Sequence, residues 1–524
     1  MSSAEETPVR FGTAGLRAPM GDGPGEFNVD LVARATHGLA VYLTSRQVPG
    51  PVVVGFDARH GSAEFAAEVA AVLVGAGRSA LVMPRPLPTP VLAFAVRGAA
   101  AGVMITASHN PATDNGYKVY LADGAQIAPP EDATVEAAMA HAPPAAEIPR
   151  SAVGIGRSDD TVEITVTASR ASGRARIAVV PEAVIQGYLT RAVGLLQPGG
   201  PRTLRAAYTP LHGVAGATFR RAWAAAGFDP LVEVREQAEP HPDFPTVAFP
   251  NPEEPGALDL VTAAAVRSHA DLVLAHDPDG DRCAVMVPVA DGFRALSGDE
   301  VGALLASHLL ERDRIPADGA LATTIVSSPL LERMAAAHGR RCVRTLTGFK
   351  WLARVPGLAY AYEEALGYCT DPGAVRDKDG ITAALLVAEL AAHCRAEGAT
   401  LQDRLDDLAR RYGVADSAPR SIRTTDADIV GRLLADPPAT LAGLAVEHVE
   451  DLAFPTSGLP GTPGLRLTAG PLRAILRPSG TEPKLKLYLH ALGAPGPTDL
   501  GLERHRLAAL LETAAAELLA RLGA

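Results

Sequence analysis

Asp271-Leu272-Val273-Leu274-Ala275-His276-Asp277-Pro278-Asp279-Gly280-Asp281-Arg282 changes character halfway along. The first half is an apolar run of strand length, and the second is a turn with carboxylates at alternate positions. Together they read as a buried strand opening at its carboxyl end into a polar loop, the place where open α/β sheets bind ligands. Carboxylates this close repel one another unless a cation sits among them, and a hard divalent ion with oxygen ligands fits, Mg²⁺ before Ca²⁺. An EF-hand starting at Asp277 would need glycine at its sixth position and glutamate at its twelfth, where this chain has Arg282 and Pro288. A solvated turn could use the same residues, but the strand before it points to burial.

Two more strands end the same way. Ala101 to Ile105 is apolar and delivers Thr106-Ala107-Ser108-His109-Asn110-Pro111. Ser108 is a possible nucleophile, with His109 and Lys118 as the bases in reach by sequence. A strand-to-helix turn in which Ser and Asn cap the helix would look alike. Asn115-Gly116 reads as a turn that swings Lys118 back toward the serine. Leu358 to Tyr362 ends in Glu363-Glu364-Ala365-Leu366-Gly367, where paired glutamates suit neighbouring sugar hydroxyls or a salt-bridged surface. The repetition predicts three strand-and-helix units pooling their loops around one cleft.

Elsewhere, Arg10-Phe11-Gly12-Thr13-Ala14-Gly15-Leu16-Arg17 offers backbone amides and the planar fork of Arg17 to an anion, or is a plain turn. Residues 141–176 read as an extended surface segment. The tail breaks the pattern and carries Arg477-Pro478-Ser479-Gly480-Thr481-Glu482-Pro483-Lys484, where an arginine, hydroxyls and turn amides form a dianion cradle. A Pro-Gly hairpin is the alternative.

Composition sets the class. The 524 residues, 47% hydrophobic and 20% charged, make a globular chain of several domains. A net charge of -11 argues against nucleic acid or an anionic membrane as partner. No apolar stretch is long enough to span a bilayer, since the one around Ile381 to Leu390 is broken by Glu389. Four scattered cysteines and a polar amino terminus without an export signal suggest a cytoplasmic enzyme. Nearly all of the 48 basic residues are arginine; the lysines are Lys118, Lys350, Lys378, Lys484 and Lys486. Lysine retained against such a background points to positions that need a compact amine.

On Thr106 to Pro111, Asp277 to Arg282, Glu363 to Gly367 and Arg477 to Lys484, in order over almost the whole chain, the sequence resembles the α-D-phosphohexomutase superfamily of phosphoglucomutases and phosphomannomutases. The resemblance implies an α/β protein: three similar, mainly parallel αβα-sandwich domains and a smaller, mobile C-terminal α+β domain around a central cleft. The expected divisions are 1–200, 201–296, 297–415 and 416–524. It further implies phosphoryl transfer through Ser108, with Mg²⁺ held by Ser108, Asp277, Asp279 and Asp281. His109 and Lys118 become candidate acid and base, and Arg17 and Arg282 neighbours of the phosphoserine. Glu363, Glu364 and Lys350 would face the sugar, while Arg477, Ser479, Gly480 and Thr481 would grip its non-reacting phosphate.

The implied substrates are sugar phosphates, with a sugar 1,6-bisphosphate as primer. Glu-Glu-Ala-Leu-Gly and Thr347 to Trp351 look like the branch that holds phosphoglucomutases, phosphopentomutases and sugar-bisphosphate synthases. Glucose phosphates therefore rank first, mannose second and pentose third. A metal-dependent sugar phosphatase and a non-catalytic sugar-phosphate-binding protein are the readings outside mutase chemistry.

Overall fold

The computed structural model describes residues 9–151, 156–158, 161–163, 175–424, 426, 428–454, 459–478 and 484–523. The first sheet contains β1 (Leu16–Pro19), β2 (Val52–Phe56), β3 (Ala80–Val82), β4 (Ala101–Ile105) and β5 (Asp114–Leu121). A separate ribbon of β6 (Gly156–Ser158) and β7 (Thr161–Glu163) precedes β8 (Ile177–Val179), which completes that sheet in the order β1-β5-β4-β2-β3-β8. Strands β4, β2, β3 and β8 run parallel, and β5 is antiparallel to β4.

The second sheet is built from β9 (Ala206–Thr209), β10 (Val232–Glu233), β11 (Leu272–His276), β12 (Cys283–Val289) and β13 (Gly292–Ala295), ordered β10-β9-β11-β12-β13. The third uses β14 (Ala320–Thr324), β15 (Arg341–Thr345), β16 (Leu358–Glu363) and β17 (Gly367–Cys369), ordered β15-β14-β16-β17. All three obey one rule. A parallel strand (β4, β11 or β16) pairs with an antiparallel successor (β5, β12 or β17), and polar residues sit where the one gives way to the other.

These strands read as near-continuous apolar runs because helices cover both faces. β2, β4 and β11 are buried at every position. Ser297 and Glu300 form a reciprocal capping box that starts the helix Gly298–Glu311, satisfying amides that its first turn would leave unpaired. The helix Gly380–Ala396 is capped by Asp379 and is buried along almost its whole length. It is the apolar stretch the sequence showed as too short for a membrane, and it serves as a pillar of the main core, which joins residues of the first three sheets. Among the described residues, no helix is long and apolar enough to cross a membrane.

The fourth sheet is antiparallel, ordered β18-β25-β24-β23-β22: β18 (Ala415–Ser417), with β19 (Arg420–Arg423) also on β25, then a ribbon of β20 (Thr440–Leu441) and β21 (Leu444–Ala445), β22 (His448–Asp451), β23 (Leu465–Ala469), β24 (Leu472–Pro478) and β25 (Lys484–Leu492). Its core is its own, closed by the helix Leu500–Leu522. It docks on the third sheet through Arg473, which donates to the Ser327 carbonyl, and His490, 2.8 Å from the Val326 carbonyl.

Two local expectations change. No helix follows Ser108; the loop leads directly into β5, so helix capping is excluded. Asn115-Gly116 is not a turn but part of β5, with Gly116 opposite Arg17 of β1. Gly116 is small because a Cβ there would meet the Thr106 carbonyl oxygen at 2.5 Å. Part of the 141–176 segment lies outside the described residues, and the rest includes the β6–β7 ribbon.

Candidate active site

The β4–β5 and β11–β12 loops meet. Ser108 is 1% exposed and left-handed at φ 54°, and its hydroxyl donates to Asp277 Oδ2 at 2.9 Å. The Ser108 Oγ also lies 3.2 Å from His109 Nδ1. Asp277, Asp279 and Asp281 are completely buried, with one oxygen from each lying within 4.8 Å of the others. Alternation along the chain is what brings them together: Gly280, at φ 69°, turns the loop back on itself, and a side chain there would strike Ala215 and Pro88.

Three buried carboxylates need compensation. Lys118, projecting from β5, places Nζ 2.6 Å from Asp279 Oδ2 and 3.0 Å from Asp281 Oδ2. Lys378 adds a second ammonium 3.2 Å from Asp281 Oδ2. Thr89 donates to Asp279 Oδ2 at 2.6 Å. All these partners take Oδ2 atoms. Asp279 Oδ1 and Asp281 Oδ1 are buried without a hydrogen-bond partner among the described residues. Two unpartnered hard oxygens beside Asp277 and a serine hydroxyl fit a divalent cation such as Mg²⁺, and the residues present are of the right chemistry to hold one.

The electrostatics follow the contacts. Burial, then the charges of Asp279 and Asp281, push the Asp277 carboxyl well above its usual range. Burial also pushes Asp279 up, but Lys118, Thr89 and Ser108 outweigh it and hold that carboxyl low. Burial would discharge Lys118, yet Asp279 and Asp281 keep its affinity for the proton raised. Burial, followed by the positive charges of Arg282 and Arg17, drives His109 well below the ordinary histidine value, so its ring is neutral.

The remaining predicted residues surround this centre. Arg17 donates to Asn110 Oδ1 at 3.1 Å, and Arg282 pairs with Glu253 at 3.3 Å while its Nε stands 4.0 Å from Asp277. The two glutamates at the end of β16 and the start of the loop after it differ. Glu364 Oε2 accepts from Ser327 Oγ at 2.7 Å and Thr324 Oγ1 at 3.0 Å, which fixes it to the third sheet. Glu363 is pushed up to about 7 by burial, against the pull of Lys378 and Arg282. Lys350 does not point freely into the cleft; it donates to the Gly12 carbonyl at 3.2 Å and lies 3.6 Å from Asp132, joining the third sheet's loop to the first domain. Arg477 donates to Thr347 Oγ1, linking the fourth sheet to the same loop. Ser479, Gly480 and Thr481 lie outside the described residues.

Sequence reasoning singled out Lys378 only through the scarcity of lysine and gave no role to Thr89 or Arg59. Thr89 acquires meaning through a contact across sheets, and Arg59 through its reach from the end of β2 to the serine loop of the same sheet.

Sequence profiles describing the phosphoglucomutase/phosphomannomutase α/β/α domains I, II and III match residues 8–145, 187–290 and 297–412. The chain is 39% identical to a Haemophilus influenzae protein named probable phosphomannomutase, over 88% of this chain and 92% of that one. It is 34% identical to a Schizosaccharomyces pombe protein named probable phosphoribomutase, over 93% and 87%. To a Staphylococcus haemolyticus phosphoglucomutase it is 33% identical, over 92% and 90%. Among solved structures, a phosphoglucomutase/phosphomannomutase family protein of Burkholderia thailandensis superimposes with a TM-score of 0.73 at 21% identity, over 97% of both chains. An Aspergillus fumigatus N-acetylphosphoglucosamine mutase, solved with glucose 1,6-bisphosphate, gives 0.53 at 16% identity, over 98% and 97%.

Proposed function

The chain belongs to the phosphoglucomutase/phosphomannomutase family, and we propose on that premise that it interconverts the 1- and 6-phosphates of a hexose, glucose before mannose, with Ser108 as phosphoryl carrier. It is an enzyme of the mutase type, an isomerase that works by phosphoryl transfer. The observation that carries the reading is the Ser108 hydroxyl, bonded at 2.9 Å to one of three buried aspartates that lie on a different sheet.

Phosphoryl transfer needs in-line positioning and charge neutralisation more than covalent assistance. Mg²⁺, held by Asp277, Asp279, Asp281 and the phosphorylated Ser108, supplies that neutralisation when bound. Arg17 and Arg282 add positive charge beside the serine loop. The free sugar hydroxyl attacks the phosphorus, the bond from phosphorus to Ser108 Oγ breaks, and the hydroxyl proton passes to a base. His109, neutral and next to Ser108, is that acceptor; Lys118 stays charged between two aspartates and can return a proton. The resulting sugar 1,6-bisphosphate turns over, Ser108 Oγ attacks the other phosphorus, the bond from that phosphorus to its sugar oxygen breaks, and the proton taken by His109 passes to this oxygen as the monophosphate isomer leaves. Glu363 serves the sugar, Glu364 and Lys350 hold the segments around it to the third sheet and the first domain, and Arg477, Ser479, Gly480 and Thr481 hold whichever phosphate is not reacting. The bisphosphate held by the Aspergillus relative supports that intermediate and its use as primer. Four free cysteines suit a cytoplasmic setting.

The test is a coupled assay of glucose, mannose, glucosamine and ribose 1-phosphates with Mg²⁺ and a bisphosphate primer, run beside Ser108→Ala. Glucose 1-phosphate should turn over fastest and Ser108→Ala should lose at least about a thousandfold in kcat. Full activity of Ser108→Ala removes the phosphoserine, and steady release of inorganic phosphate without primer indicates a phosphatase. A faster rate on ribose 1-phosphate would favour the pentose reading, to which the phosphoribomutase-named relative lends support.

A further inference from the structure

We propose that Arg59 is the positioning residue that holds Ser108 in its reactive presentation, with Phe244 of the second domain as its cover. The inference rests on the phosphoserine reading above and adds what sets the geometry of that serine.

Ser108 has a positive φ, which a residue with a Cβ adopts only when its surroundings enforce it. The enforcing group lies underneath. Arg59 is 4% exposed and spreads its guanidinium against the carbonyls of the serine loop. One terminal nitrogen donates to Ser108 O and to Asn110 O, each at 2.6 Å. The other donates to Pro111 O at 2.6 Å and Asp114 O at 3.2 Å. A buried loop has to find donors for its carbonyls, and here one side chain provides for four of them. Turning the Ser108 carbonyl inward leaves its side chain directed at Asp277.

Arg59 is itself fixed. Asp57 Oδ2 lies 3.4 Å from Arg59 Nε, and Asp57 Oδ1 accepts the Arg59 amide at 3.0 Å and the Ser62 hydroxyl at 2.6 Å. The Phe244 ring lies 4.9 Å from the guanidinium carbon, so the second domain, which also carries the aspartates, closes over the device. A planar fork is required; the three donors of a lysine radiate from one point and cannot serve four carbonyls spread along a loop.

Because Arg59 acts through Ser108, its loss should misplace the phosphoryl group rather than remove it. A misplaced phosphoserine is opened by water more often: the water oxygen bonds to phosphorus, the bond to Ser108 Oγ breaks, the serine regains its proton and inorganic phosphate leaves.

The experiment compares wild type, Arg59→Lys, Phe244→Leu and Ser108→Ala in the full-length protein, measuring mutase kcat and KM together with phosphate released per turnover. Arg59→Lys should lower kcat about 10- to 100-fold, keep KM within about threefold, and raise phosphate release per turnover at least about fivefold. Phe244→Leu should move the same quantities the same way by less. A destabilised but correctly aligned enzyme would lose mutase turnover and phosphate release together, so an unchanged ratio in Arg59→Lys overturns the proposal. Should Arg59→Lys not fold, an unchanged ratio in Phe244→Leu overturns it instead. If Ser108→Ala stays fully active, the phosphoserine reading itself has failed; an inactive Ser108→Ala beside a normal Arg59→Lys removes only this inference.

Discussion

Asp277, Asp279 and Asp281 are the same residue, equally buried, two positions apart, and their neighbours give them different tasks. Lys118 and Lys378 occupy the Oδ2 side of Asp279 and Asp281 and outweigh the burial that would protonate them. Asp277, bonded to the serine, takes the strain of the like charges. Thr89 acts on this balance from the first domain, so Thr89→Val should weaken Mn²⁺ binding to the purified protein about tenfold, read by calorimetric titration. Equal affinities would mean that Thr89 does not orient Asp279. A second carboxyl, Asp379, is pushed up to about 6 by burial, against hydrogen bonds from the Thr382 amide at 3.0 Å and the Tyr188 hydroxyl at 2.8 Å. An unfolded aspartate has released its proton by then, so between about pH 4 and 6 the folded state binds more protons and stability falls as pH rises. Asp379→Asn keeps the cap and removes the titration. Relative to wild type it should gain on the order of 2–3 kcal/mol between pH 4 and pH 6.5, measured by denaturant unfolding at each pH; a constant difference across that range would refute the assignment.

At the scale of elements, the strand-then-loop arrangement was legible because β4, β11 and β16 are apolar runs ending in chemistry. The path of the chain beyond each of those strands was not. Asn115-Gly116 has the local chemistry of a turn, yet eight residues of β5 run between β1 and β4, and ladder bonds on both edges override that preference. For the same reason Ser108, Asp277 and Glu363 could be picked out from short motifs, while Thr89 and Lys378 depend on how separate sheets abut and Arg59 on how the ends of β2 and β4 lie side by side. The metal-side loop also leans on a neighbour that sequence did not show. A Cβ on Gly213 would lie 2.3 Å from Pro278 Cα, and Val214 donates its amide to the Pro278 carbonyl at 2.8 Å. Gly213→Ala should therefore push the aspartate loop, costing about 1–3 kcal/mol by urea unfolding and lowering Mn²⁺ affinity with it. Loss of stability with unaltered metal affinity would show that the loop moves independently of this support.

For the whole molecule, the separation of cores matters most. The main cluster runs through the first three sheets, whereas the fourth sheet closes over its own and meets the rest through a small apolar seam that includes Ile325, Val326, Leu452 and Ile475. Within the large body, Glu389 is fully buried in the pillar helix and gathers the Gln197 amide, His308 at 2.8 Å and Arg312. Glu389→Ala leaves those donors without an acceptor and should cost about 3–5 kcal/mol. Calorimetry should register the loss in the unfolding of the first three domains and leave the transition of the fourth in place; a uniform shift of every transition would show that the four melt as one. The sequence displayed Glu389 only as an interruption in an apolar run, since its partners come from segments 81 and 192 residues away.

Lys118 and Lys378 are 1% and 5% exposed, and their ammonium groups are occupied by aspartates. In a chain with so few amines, this makes the interior a chemical sanctuary. Acylating reagents and reactive aldehydes will meet the half-buried Lys486 first, and will reach the two site lysines only after the domains have come apart. Mass-spectrometric labelling of those two amines would thus report directly on how often the assembled cleft opens.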